Sequence, residues 1–258
     1  LIFSDLKKLA RSFLSSDSQL KIDYTILLPS YVDLRIDNKY GDVYVDDIKG
    51  DLNLKVSNGD FKANNLKGNT EIDLKFCNNA DVNLISNGRL TVYYSDININ
   101  KSDKLNINSK SSKLAIEHVD MIKMNSRSDK YHISNINYLY GETYFTDIWC
   151  YKLIDEISIN SKYGDLNLEY IAKDFSFINI DARYSDVNLF FERSSSYNVD
   201  INHTEKTLHF PIEISNLQEQ QLEEDRTRFL TYGTIGKGQA KSKVRINAEE
   251  GVINIYHK

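Results

Sequence analysis

Proline and cysteine are nearly missing from this chain, with two of each among 258 residues. So little proline excludes a collagenous or proline-rich linker protein, and two cysteines exclude a disulfide-stapled scaffold. Cys77 and Cys150 can be a pair or two free thiols, and the sequence leaves both open. No apolar run approaches the ~18 residues of a membrane-spanning helix. Charge of one sign is lacking too. With 37 acidic against 32 basic side chains the net charge is −5, without the basic footprint of a nucleic-acid binder. The five histidines (His118, His132, His203, His209, His257) fall at no metal-ligand spacing, and no HExxH, CxxC or GxSxG occurs. Gly233–Lys237 (GTIGK) has the wrong glycine spacing for a phosphate loop, and Gly238 stands where a magnesium-holding hydroxyl belongs. No cofactor and no metal is expected.

What the sequence does have is a repeat. Residues 34–45 read LRIDNKYGDVYV, 157–168 ISINSKYGDLNL, 178–189 INIDARYSDVNL and 244–255 VRINAEEGVINI, with weaker copies at 105–116 and 122–133. Each has an apolar-x-apolar triplet, a polar turn, a small residue, and a second triplet. Placing the small residue at Gly41, Gly59, Ala80, Ser95, Ser112, Asp129, Thr146, Gly164 and Ser185 gives steps of 18, 21, 15, 17, 17, 17, 18 and 21, a mean of 18. Gly251 fits as a further copy beyond an insertion.

Alternation of Ile, Leu and Val with Asn, Asp, Arg and Tyr is the period-two pattern of half-buried strands. One triplet cannot bury its apolar side alone, but stacked copies can. Eighteen residues at ~3.3 Å make a coil about 60 Å around, and a β-propeller blade needs ~40 residues. The expectation is therefore an all-β chain forming a parallel β-helix (a β-solenoid), right-handed, of about ten coils, because the tight six-residue beat of the left-handed type is missing. Solenoid ends need caps. Residues 3–14 (FSDLKKLARSFL) have helical apolar spacing, and 215–230 (SNLQEQQLEEDRTRFL) are polar and helix-favouring, so short helical caps or excursions are expected there. The organisation reads as an N-terminal cap over 1–21, solenoid repeats over 22–211, a polar insertion over 212–243 and a final strand pair over 244–258.

Three outward features bear on function. An Asp follows the small residue at Asp42, Asp60, Asp81, Asp96, Asp147, Asp165 and Asp186, which would make a carboxylate ladder able to hold calcium or a basic partner. The plainer reading is turn chemistry, with Lys39, Lys110, Arg127, Lys162 and Arg183 close by to neutralise it. Asparagines at Asn53, Asn83, Asn98, Asn106, Asn167 and Asn188 suit hydrogen-bonded amide ladders, a structural role. Tyrosine is frequent, 17 residues, and Tyr40, Tyr44, Tyr93, Tyr94, Tyr163 and Tyr184 fall at turns or outward positions. Such an edge can stack on sugars or grip a protein, or its rings can pack on one another coil by coil. The candidate binding edge is Tyr40, Asp42, Asp60, Tyr94, Asp96, Tyr163, Asp165, Tyr184 and Asp186. No catalytic set stands out.

The stretch NKYGDVYVDDIKGDLNLKVSNGDFKANNLKG (38–68), the LLP at 27–29 and the units SKYGDLNL and ARYSDVNL resemble bacterial adhesin families whose members have no assigned activity, among them the head GIN domain autotransporter adhesins. The resemblance covers about residues 22–255. It implies an exported β-helical protein of the bacterial envelope, periplasmic or at the cell surface, and supplies no catalytic residues. The chain opens on Leu1 rather than methionine, so a longer precursor is expected. The functional expectation is a non-catalytic solenoid that binds or displays a surface to a glycan or an envelope protein. The competitors are a pectinase-like carbohydrate-active enzyme, which would need opposed carboxylates across a cleft, and an envelope sensing or scaffold protein.

Overall fold

The computed structural model describes residues 22–222 and 227–258. It is a parallel β-solenoid of about nine turns, close to the ten expected. The strands are β1 (Leu34–Lys39), β2 (Val43–Val45), β3 (Leu52–Ser57), β4 (Phe61–Lys75), β5 (Ala80–Tyr93), β6 (Asp96–Lys110), β7 (Lys113–Arg127), β8 (Lys130–Tyr144) and β9 (Asp147–Lys162). They continue with β10 (Leu166–Ile171), β11 (Phe177–Arg183), β12 (Val187–Phe191), β13 (Tyr197–Thr204), β14 (Leu208–His209), β15 (Ser215–Gln221), β16 (Arg228–Ile235), β17 (Ser242–Glu249) and β18 (Ile253–His257). The cap expected over 3–14 lies outside the described residues.

The coil has a simple inward code. From β5 onward the buried positions are Ala80, Val82, Ile85, Gly88, Leu90, Val92, Ser95 and then Ile97. Steps of two are extended strand, with every second side chain inward. A step of three leaves two neighbours facing out, and that is a corner. Three corners per coil explain why one long strand such as β6 or β7 bends around the core without leaving its ladder. The same code corrects two expected positions. Period-two alternation from Val82 would put Leu84 inward, but it sits at a corner half-buried and Ile85 takes the core place. Ala80 pairs with Phe61 and Ile97 as an ordinary strand residue; the small-residue place belongs to Cys77, whose N–H bonds to Ser95 Oγ eighteen residues on.

That corner is built the same way in every coil. The residue before the small one has left-handed backbone: Tyr40, Asn58, Phe76, Tyr94, Ser111, Ser128, Phe145, Tyr163 and Tyr184 all have φ between 51° and 62°. Inside the turn, backbone N–H groups are satisfied by side chains of the next coil. Ser95 N donates to Ser112 Oγ at 3.2 Å, Ser112 N to Asp129 Oδ1 at 2.7 Å, Asp129 N to Thr146 Oγ1 at 3.2 Å, and Gly164 N to Ser185 Oγ at 3.2 Å. Small polar residues recur here because the corner breaks the strand ladder and a buried N–H needs an acceptor.

The C-terminal third departs from coil order. β11 and β12 are followed in space by β17 and β18, and only then by β13 and β14. The strand pair that is last in sequence is thus inside the stack. Residues 215–230, expected as helical, instead supply β15 and, beyond Thr227, the start of β16, antiparallel to each other, and β16 also pairs antiparallel with β13. Tertiary pairing overrides the local preference: β13 presents an open edge, and Leu217, Phe229 and Ile235 give the hairpin an inner side. β15 closes that end with a polar outer strand, SNLQEQQ, which discourages further strand addition.

Candidate functional site

The left-handed corner carries the tyrosines of the expected edge, and it is a ridge running along the rod. Phe76 and Tyr94 stack with ring centroids 5.2 Å apart and 6° between planes; Phe145 and Tyr163 lie at 5.0 Å, and Tyr163 and Tyr184 at 5.2 Å and 1°. These distances follow from the ~4.8 Å between paired strands. The rings therefore spend their faces on one another and turn their edges outward. Tyr144, one residue before the corner, meets Phe145 and Tyr163 edge-on at 4.5 and 5.4 Å. Cations border the ridge: Lys110 sits 5.9 Å over Tyr94 and Arg127 5.3 Å over Tyr144. Arg183 is paired with Glu249 at 2.6 Å. Tyr40, 83% exposed, stands apart in the first coil, next to Asn58 rather than a ring.

The expected carboxylates do not form one ladder. Asp42 Oδ1 accepts the backbone N–H of Asp60 at 2.9 Å, Asp147 that of Asp165 at 3.3 Å, and Asp186 that of Val252 at 2.8 Å. Asp33, Asp47 and Asp51 do the same at the other corners. They replace missing ladder partners where the chain turns, so one oxygen of each is used within the rod. Asp81 is not in this row: it lies on a strand and accepts from Asn98 Nδ2 at 2.8 Å. Lys113 and Lys130 occupy the row between Asp96 and Asp147, and Lys113 bonds Asp96 at 3.4 Å. Asp165 is pushed above the ordinary carboxylate range, by burial first and by the charges of Asp186 and Asp147. Among the described residues no three His, Cys, Asp or Glu side chains gather as a metal site.

Amide ladders form at Asn83, Asn167 and Asn188, whereas Asn53 bonds Glu71 and Asn98 bonds Asp81. Asn65 Nδ2 donates to Asp47, Asn83 to Asn65 and Asn100 to Asn83, and on the same face Asn188 bonds Asn167 and Asn254 bonds Asn188. Cys77 and Cys150 are both free and buried.

Two features escaped the sequence reading. One is a buried polar knot around Asp129. Its Oδ2 accepts from Ser109 Oγ at 2.7 Å, Ser126 Oγ at 2.5 Å and Arg127 N at 3.0 Å, while Ser109 Oγ also meets Tyr131 Oη at 2.6 Å. Burial raises the Asp129 carboxyl and the Tyr131 phenol. The repeat had marked Asp129 only as a turn residue. The other is an open cleft of about 550 Å³ at another corner, lined by Lys152, Asp155, Tyr170, Lys173, Asp174 and Glu192 among others. It exists because the coil after Gly164 is longer than the one before it and adds the turn Ala172–Phe175, which the next coil repeats at Glu192–Ser195. Two of its carboxylates are engaged: Tyr170 Oη donates to Glu192 at 2.7 Å, and Glu192 and Asp155 are held below the usual range by hydrogen bonds from Tyr170 and Ser176, respectively. Lys152 lies 5.5 Å over the Tyr170 ring. The step of 21 was the available signal.

No family model, no curated protein and no solved structure matches this chain. The rod and its ridge stand on their own geometry.

Proposed function

We propose that this chain is a non-catalytic β-solenoid that presents its ridge to a partner of the bacterial envelope, a protein in preference to a glycan. The observation that carries the reading is the in-register stack Phe145–Tyr163–Tyr184, with Tyr144 and Arg127 against it. Phe145 and Tyr184 are about half exposed, at 50% and 51%. Tyrosine, arginine and exposed aromatic rings on a rigid frame are the composition of protein-binding hot spots. A sugar stacks on free ring faces, and the central ring of the column, Tyr163, has a neighbouring ring on both of its faces. A non-catalytic role is supported by the corner aspartates, each of which gives an oxygen to a backbone N–H in place of a missing ladder partner. The cleft at Lys152, Asp155, Tyr170 and Glu192 is what the carbohydrate-active alternative would have to use.

The column itself supplies the test, since it already carries Asn58, Ser111 and Ser128 at equivalent corners. Phe145→Ser with Tyr163→Asn should leave the rod folded. Wild type and this variant are compared for co-elution with acidic and neutral polysaccharides and for cross-linking to envelope proteins. Loss of specific protein cross-links in the variant supports the reading. Polysaccharide co-elution that the variant loses makes the ridge a glycan site, and a glycan peak moving to smaller size makes the chain an enzyme.

A further inference from the structure

The out-of-order C-terminus has a consequence for how copies of this chain meet. β17 lies between two strands, with Ile178↔Val244 and Ile180↔Ile246 on one side and Val199↔Val244 and Ile201↔Ile246 on the other. β18 is likewise flanked, by β12 through Val187↔Ile253 to Phe191↔His257 and by β14 through Leu208↔Ile253. Val244, Ile246, Ala248, Ile253 and Ile255 are all buried. β17 and β18 thus occupy a slot whose walls are the edges of β11 and β12 on one side and of β13 and β14 on the other.

The tether into that slot is short and glycine-bearing. Ile235 and Ser242 both stand opposite Tyr197, on opposite sides of β13, so Gly236–Lys241 is a strap passing over the start of that strand. Gly238 N donates to Ser196 Oγ at 2.7 Å. Gly236 has φ of 102°, and a Cβ there would lie 2.3 Å from Ser195 O. The strap is the only stretch that must change if the inserted pair comes from elsewhere. Every contact of β17 and β18 inside the slot is the same whichever copy supplies them, so only the strap and the local concentration separate the two arrangements.

We propose that the slot is a strand-acceptor site and that β17–β18 of a second copy fills it, giving a strand-exchanged dimer. Self-insertion is favoured by an effective concentration on the order of millimolar. Exchange therefore occurs when the chain folds concentrated, and it persists on dilution because release requires pulling two buried strands out of the stack. Such a dimer would carry two ridges, although the exchange does not depend on what the ridge binds.

Asn179 and Arg245 face each other in register on the outer side of β11 and β17, close enough for a disulfide between paired strands. Full-length Asn179→Cys and full-length Arg245→Cys are refolded together at about millimolar concentration and oxidised. A disulfide-linked heterodimer is expected, absent when the two are refolded separately and then mixed. The double variant refolded dilute should close its disulfide within one chain, which verifies the geometry. Closure in the double variant with no heterodimer from the co-refolded singles overturns the proposal. Light scattering of the refolded wild type decides independently of any disulfide: a dimer fraction surviving dilution supports exchange, and monomer at every refolding concentration overturns it.

Discussion

Ser112 gives its backbone N–H to the Asp129 carboxylate at 2.7 Å, in the place where Ser95 gives its own to a hydroxyl, Ser112 Oγ. A carboxylate has been set into a row of hydroxyls, and it is buried. Burial dominates its titration and raises it, so the folded state holds the proton more tightly than the unfolded chain does. The sign follows: between the ordinary carboxylate pKa near 3.8 and the higher folded value, stability falls as pH rises. Asp129→Ser, which matches the row, should flatten this acid-side slope in denaturant titrations at several pH values. Asp129→Ala should cost about 2–4 kcal/mol, since it leaves a cavity and strips acceptors from Ser112 N and Arg127 N.

His257 gives the opposite slope. It lies on β18, with Nε2 3.0 Å from Tyr197 Oη and its ring near Phe191. Burial lowers its pKa below the ordinary 6.5. The unfolded chain binds the proton first, so stability is lost as pH falls from 6.5 toward the folded value. Protection against hydrogen exchange in β17 and β18 should fall in that window relative to protection in β5 to β7, and His257→Gln should remove the difference.

The sequence was most legible where one rule repeats. Ile97, Ile107, Ile116 and Leu166 could be read as core because each coil restates the same alternation. The corners were less legible, because a corner is a step of three hidden in a run of apolar residues, as Leu84–Ile85 shows. Cys77 was missed as a small-column residue because Asn78–Asn79 adds a residue after it and shifts the apparent beat to Ala80. Strands β15 and β16 differ from the helix expected over 215–230 because the glutamines and glutamates there favour a helix locally, while the open edge of β13 that makes strands of them is a tertiary fact. The ridge tyrosines were visible in sequence, but the stacking that covers their faces was not.

The two cysteines should be inert in the folded rod. Both are fully buried, and burial pushes the Cys150 thiol to about 12. The thiolate is the reactive form. A thiol reagent at neutral pH should therefore label neither in native protein and both in denaturant. Fast native labelling would mean that the coils at Cys77 or Cys150 open readily.

Gly164 is a place of close approach between two coils, beside the ridge. A Cβ there would lie 2.1 Å from Thr146 O and 2.7 Å from Thr146 N, so the contact is with backbone that cannot swing away. The clash has to be relieved by moving one coil relative to the next, and Tyr163, adjacent in sequence, would lose its 1° alignment with Tyr184. Gly164→Ala should cost on the order of 1–3 kcal/mol, the range of overpacking substitutions. Tyr163→Asn keeps a residue suited to left-handed backbone and should cost under about 1.5 kcal/mol, the worth of an aromatic pair. Denaturant midpoints of the two single variants separate these cases. If Tyr163→Asn proved the more damaging, the ring stack would be a principal support of the rod instead of a surface laid on it, and the ridge would lose its claim as a partner-facing feature.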